Sequence, residues 1–191
     1  MIKNIILDVG GVIFDDSKTN VERLLGKNVD HIYKVAYGSG FKKCLLGEMS
    51  IKEYIDSLKD EDEFDDIKYI LEKDNLEKSY PLMKDNFEYV KELKKQGFRL
   101  FLLTNITKES HEYIDSVINI DKIFDGGIYS YQEHLVKPNY EIYELIINKY
   151  NLNKDETLFF DDKVKNVNAA NECGIRSYVF TSIDDIKSKI M

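Results

Sequence analysis

Lys3-Asn4-Ile5-Ile6-Leu7-Asp8-Val9-Gly10-Gly11-Val12 is the stretch that decides the fold. Its apolar run has no polar alternation, the pattern of a strand buried on both faces, and the glycine pair behind it marks a tight turn. Asp8 then stands at the carboxyl end of that strand. Similar runs recur at Phe98-Arg99-Leu100-Phe101-Leu102-Leu103, Gly127-Ile128-Tyr129-Ser130, Thr157-Leu158-Phe159-Phe160 and Arg176-Ser177-Tyr178-Val179-Phe180. Between them, apolar residues recur at helical spacing. Phe87, Val90 and Leu93 precede Gly97, Ile142, Leu145 and Ile146 follow Pro138, and Val164 to Cys173 is closed by Gly174. From Asp85 onward helix and strand alternate, which predicts an α/β fold built on a doubly wound, Rossmann-like parallel sheet. Such sheets place their sites beyond the carboxyl ends of the strands.

The segment from Ser17 to Tyr80 breaks the alternation. It is helix-patterned throughout, and Ser50-Ile51-Lys52-Glu53 is a capping-box signature. It reads as an inserted helical cap over residues 17–80, with residues 1–16 and 81–191 forming the core. Leaving the sheet just after the first strand, it would stand over the strands' carboxyl ends. Its acidic run, Asp60 to Asp66, lacks the glycine of a calcium loop and reads as a solvated face.

Composition narrows the function. The 191 residues carry 27 Lys and Arg against 35 Asp and Glu, a net charge of −8 with no basic stripe, which argues against nucleic-acid binding through phosphate neutralisation. The longest apolar stretches, such as Leu100 to Leu103, fall far short of the roughly 18 residues of a membrane span. With no secretory leader pattern at Met1-Ile2-Lys3-Asn4, the expectation is a cytoplasmic protein without membrane partners. Cys44 and Cys173 form no C-x-x-C and read as buried thiols, and His31, His111 and His134 have no zinc-ligand spacing. Nothing in the sequence specifies an oligomeric state.

Four groups fall at or just past predicted strand ends: Asp8 with Gly10-Gly11, Thr104-Asn105, Lys137-Pro138 and Asp161-Asp162. Singly each has an ordinary reading, as turn, helix start, surface lysine or helix cap. Together at one sheet edge they offer carboxylates for a divalent cation, a hydroxyl and an amide for phosphate oxygens, and one cation, Lys137, to balance charge. A carboxylate nucleophile approaching a phosphate dianion meets repulsion that a hard cation offsets, and an all-oxygen ligand set suits Mg²⁺. Glycine lets the backbone approach both closely.

These motifs resemble those of the haloacid dehalogenase-like hydrolase superfamily over nearly the whole chain. Asp8-Val9-Gly10-Gly11-Val12 is similar to the family's first motif, Leu103-Thr104-Asn105 to its second and Lys137-Pro138 to its third. Phe159-Phe160-Asp161-Asp162, with Asn166 beyond, is similar to its fourth. The resemblance implies that Asp8 is a nucleophile forming an aspartyl-phosphate and also a Mg²⁺ ligand. It implies further metal oxygens from the Gly10 carbonyl and Asp162, with Asp161 bound directly or through water. Thr104, Asn105 and Lys137 would hold the phosphoryl group, with Gly11 beside it. The activity implied is a Mg²⁺-dependent phosphatase of small phosphate esters. The Asp-x-Gly-x-Val form and Gly47-Glu48-Met49-Ser50 are similar to sugar-phosphate phosphatases of the glucose-1-phosphatase type.

One position departs from the family pattern. Two residues after the nucleophile most family phosphatases carry a second Asp, the proton donor, where this chain has Gly10. General acid–base catalysis is worth roughly 10²- to 10⁴-fold. Three readings stand: a phosphatase that recruits another acid or water, a haloacid dehalogenase-type hydrolase, or an inactive binding scaffold. Asp161-Asp162 argues against the dehalogenase, whose chemistry needs no Mg²⁺. Asp15, Asp16 and Glu48 are the acids that could replace the missing one. A phospho-accepting receiver domain uses similar groups, but its acidic pair follows the first strand and its Lys-Pro the last, the reverse of this order.

Overall fold

The computed structural model describes residues 1–190. Five parallel strands form one sheet: β1 (Asn4–Leu7), β2 (Arg99–Thr104), β3 (Gly126–Tyr129), β4 (Thr157–Asp161) and β5 (Arg176–Val179), in the order β3-β2-β1-β4-β5. The doubly wound sheet is therefore as expected, with β1 at its centre. The chain runs outward from β1 through β2 to β3, then crosses back to β4 on the other side. The reversal lies between β1 and β4, the point where such sheets bind ligands.

Both faces of the sheet are buried, which explains the unbroken apolar runs. Ile5, Leu7, Leu100, Leu102, Leu158 and Phe160 point into one core, while Ile6, Phe101, Leu103 and Phe159 point into the other. The helical insertion is made of α1 (Lys18–Leu25), α2 (Asp30–Ala36), α3 (Phe41–Leu45), α4 (Ile51–Ser57), α5 (Phe64–Leu71) and α6 (Leu76–Ser79). The first sheet core is covered by α7 (Lys84–Lys95) and α8 (Lys108–Ile118), with α9 (Ile120–Ile123) following α8. After β3 comes α10 (Ser130–Glu133); α11 (Tyr140–Lys149) and α12 (Val164–Glu172) cover the second core. The last helix, α13 (Ile183–Ile190), returns to the first through Ile186. Among the described residues no helix is long and apolar enough to cross a membrane.

Helices α1 to α5 bury a third cluster of their own, including Val21, Ile32, Tyr54, Ile55, Ile67 and Ile70. The expected capping box opens α4, with Ser50 and Glu53 each satisfying the other's backbone N–H. The chain's exit from the core and its return run side by side: Asp15 N donates to Pro81 O at 2.9 Å and Met83 N to Ile13 O at 2.8 Å. The helical layer reaches the core again where Glu109 accepts from Ile51 N and His134 Nδ1 lies 2.7 Å from Leu46 O. His31 faces Glu63 on the surface, and Cys173 is only half-buried where a buried thiol was expected, because it sits at the C-terminal end of α12.

Candidate active site

Register brings the carboxylates together. Leu7 pairs with Phe160, and Asp8 N donates to Phe160 O at 2.9 Å, so the residue after each strand's last apolar one is an acid at the reversal point. Asp8, Asp161 and Asp162 each offer an oxygen within 4.8 Å of the others. Lys137 arrives from the far side of β2, on the loop after α10, through a cis Lys137–Pro138 bond. Its ammonium donates to Leu103 O at 2.8 Å and lies 2.9 Å from Asp8 Oδ1 and 2.5 Å from Asp161 Oδ2. All three side chains are buried.

Burial pushes the Asp8 carboxyl well up, against the opposing pull of Lys137 and with a further push from Asp161. Burial acts on Asp161 in the same sense, but Lys137, the Lys163 N–H and the Asn166 amide outweigh it and hold its carboxyl below the usual range. Lys137 loses charge stability by burial and regains more from its two carboxylates, so it stays cationic. Two acids and one cation leave the buried triad one negative charge in excess when all are ionised.

The two aspartates of β4's end do different work. Both oxygens of Asp161 take hydrogen bonds from the Asn166 amide at 3.0 Å, and Oδ1 also accepts from Lys163 N at 2.8 Å. Asp162 Oδ2 pairs with Lys163 Nζ at 2.6 Å, while its buried Oδ1 has no partner. A buried carboxylate oxygen left unpaired is costly unless a cation completes it. Lys163, the next residue in the chain after Asp162, corrects the expectation that Lys137 alone balances the acids.

The turn after β1 is shaped to admit these groups. Gly11 has a φ of 69°, and a Cβ on it would fall 2.6 Å from Asp162 Cγ. A Cβ on Gly10 would fall 2.5 Å from Asp16 Oδ2. Burial pushes the Asp16 carboxyl up to about 6, with Lys163 opposing and Asp162 and Asp15 adding. Thr104 is buried at the end of β2. The Asn105 side chain, expected at the phosphate, is committed to the Lys137 main chain: Oδ1 accepts from its N–H at 2.8 Å and Nδ2 donates to its carbonyl at 3.0 Å. Ser130, which sequence reasoning passed over, holds Ile106 through its hydroxyl in the same two-way manner. Tyr80, also overlooked, is half-buried, with its phenol pushed well above the usual range by desolvation and by Asp16 and Asp8.

Residues 2–174 match the model of the haloacid dehalogenase-like hydrolases. Over 86 residues the chain is 34% identical to the sesquiterpene phosphatase astK of Aspergillus oryzae, a match spanning 45% of this chain and 44% of that relative's length. Among solved structures, a haloacid dehalogenase family enzyme of Bacteroides thetaiotaomicron, in complex with magnesium and inorganic phosphate, aligns over all of both chains with a TM-score of 0.75 and 18% identity. L-2-haloacid dehalogenase of Xanthobacter autotrophicus, with chloropropionic acid covalently bound, has a TM-score of 0.66 and 17% identity, covering all of this chain and 82% of that one. With the family model covering most of the chain and the carboxylates and Lys137 gathered at the reversal point, the chain belongs to the haloacid dehalogenase-like hydrolases.

Proposed function

We propose that the protein is a Mg²⁺-dependent phosphatase of small phosphate esters, sugar phosphates foremost, acting through an aspartyl-phosphate on Asp8. The observation that carries this reading is the convergence of Asp8, Asp161 and Asp162, the first two of them on Lys137, with Asp162 Oδ1 buried and unpartnered. The donor set is all oxygen and hard, so the residues present fit Mg²⁺. Asp8, the Gly10 carbonyl and Asp162 would hold it directly and Asp161, whose oxygens are already hydrogen-bonded, through water. Bound there, the ion would offset the charge of the phosphoryl group.

Asp8 Oδ1 accepts from Val9 N at 2.7 Å and from Lys137, which fixes the carboxylate for attack by its other oxygen. Thr104, Lys137 and the backbone around Gly11 and Asn105 would hold the phosphoryl oxygens. The helical layer, residues 17–80, acts in this reading as a cap that excludes water and restricts the substrate to a small metabolite. The acidic pair Asp161-Asp162 supports phosphoryl transfer over halide displacement, which requires no cation.

The test is hydrolysis of an aryl phosphate with and without Mg²⁺, followed by a panel of sugar phosphates, nucleotides and phospho-acids. Mg²⁺-dependent turnover abolished by Asp8→Asn is expected. Turnover that ignores the metal, or that survives Asp8→Asn, overturns the reading.

A further inference from the structure

Gly10 lacks the carboxylate of its relatives, yet the space beside it is filled. A Cβ on Gly10 would lie 2.5 Å from Asp16 Oδ2 and 3.0 Å from Asp16 Cγ, with the Tyr80 hydroxyl next at 3.4 Å. The Asp16 carboxylate therefore lies where a side chain at position 10 would begin. Gly10 is absent from the positions of positive φ, so its backbone conformation would accept a side chain. What such a side chain would meet is the Asp16 carboxylate.

The main chain that carries Asp16 is held at two points. The neighbouring Asp15 ties the chain to Pro81 through its N–H, and Tyr33 donates its hydroxyl to the Asp16 carbonyl at 2.7 Å. The two other acids that sequence offered are placed elsewhere. Asp15 Oδ1 accepts from Ser17 N at 2.9 Å, as a turn residue does. Glu48 is exposed and lines a separate cavity of about 240 Å³ together with Met49 and Tyr131.

We propose that Asp16 is the proton donor and acceptor of the phosphoryl transfer, supplying from the start of the helical layer the carboxyl group that position 10 does not. The assignment rests on the phosphatase reading above. In the first step a bond forms between an Asp8 oxygen and phosphorus, and the bond from phosphorus to the ester oxygen breaks. Its electron pair stays on the ester oxygen, which takes the Asp16 proton and leaves as the alcohol. In the second step water attacks phosphorus and gives a proton to the Asp16 carboxylate. The bond from phosphorus to Asp8 breaks, its pair returns to the Asp8 carboxylate, and inorganic phosphate departs.

The experiment measures kcat/KM with Mg²⁺ on aryl phosphates of increasing leaving-group basicity, from p-nitrophenyl to phenyl phosphate. It compares the wild type, Asp16→Asn, Asp16→Ala and the double variant Gly10→Asp/Asp16→Ala. Asp16→Asn should lose roughly 10²- to 10⁴-fold on phenyl phosphate and far less on p-nitrophenyl phosphate, whose leaving group departs without a proton. The double variant, in which the clash at position 10 is removed, should recover at least tenfold over Asp16→Ala on phenyl phosphate. A loss equal on both esters, no loss in Asp16→Asn, or no recovery in a double variant that folds with wild-type circular dichroism overturns the assignment. Wild-type protein that hydrolyses neither ester overturns the phosphatase reading itself, a result distinct from those three.

Discussion

Lys137 Nζ lies 2.9 Å from Asp8 Oδ1, in a site where the lysine and both of its carboxylate partners are buried. This contact joins the end of β1 to the loop after β3, and through Asp161 to the end of β4. One ammonium thus ties together three separate parts of the sheet edge. Its removal has consequences for stability as well as for chemistry.

Lys137→Met keeps the stem and deletes the charge. The Asp161 carboxylate then remains buried without a cation beside an Asp8 that burial keeps protonated, and breaking a buried pair in this way costs about 3–5 kcal/mol. Urea denaturation at neutral pH should show a loss of that size. Asp161 is held ionised against burial chiefly by Lys137, so without it the carboxyl takes up a proton more readily as pH falls. The loss should therefore shrink at about pH 5. A loss that is the same at both pH values would assign it to packing instead of charge.

Asp8 gives a pH dependence of opposite origin. Burial raises its carboxyl from 3.8 to about 8, so between those values the folded state binds more protons than the unfolded chain. Stability contributed by the protonated form is present at low pH and is lost as pH rises through that window. Metal-free protein should therefore melt at a lower temperature at pH 8 than at pH 5. Asp8→Asn leaves Lys137 and Asp161 as a balanced pair, and the fall in melting temperature with pH should be smaller in this variant. Thermal melts in a chelator across that range make the comparison.

Asp162 Oδ1 predicts a metal effect on stability. A ligand at one hundred times its Kd adds about 2.7 kcal/mol to the fold. For a chain of this size that corresponds to a rise of about 5–10 °C in melting temperature. Mg²⁺ should produce it in the wild type, and Asp162→Asn should reduce it to a small fraction. Calorimetry with and without Mg²⁺ measures both, and it does so independently of any substrate. An undiminished shift in Asp162→Asn would place the cation elsewhere.

The strands were legible because burial on both faces leaves unbroken apolar runs such as Leu100 to Leu103, and because parallel connections force helices between them. Asp8, Thr104, Lys137 and Asp161 were legible because each follows such a run or its loop, and the register of a parallel sheet carries those positions to one edge. Lys163 and Tyr80 were not legible. Lys163 stands beside Asp162 in the chain, but sequence does not say whether its ammonium turns back on that acid, and Tyr80 is far in sequence from the Gly10 turn that it faces. The choice among Asp15, Asp16 and Glu48 was open for the same reason. Only the path of the chain between core and helical layer decides which carboxylate meets Gly10.

Asn105 shows how the assignment of a role can be separated by kinetics. Its side chain accepts from the Lys137 N–H and donates to the Lys137 carbonyl, so it holds the lysine's main chain in place from the end of β2. A residue acting in this way positions the ammonium and does not itself bind phosphate. Asn105→Ala should cost about 1–3 kcal/mol in stability by unpairing two backbone groups. It should lower kcat roughly tenfold by letting Lys137 drift, while inhibition by inorganic phosphate changes little. Asn105→Asp keeps the acceptor and loses the donor, so it should fall between the alanine variant and the wild type in stability. If the side chain instead gripped the phosphoryl group, Asn105→Ala would weaken phosphate inhibition as strongly as it lowers kcat. Steady-state kinetics with phosphate as competitor distinguishes the two, because only a direct contact with phosphate is lost from the product complex as well as from the transition state.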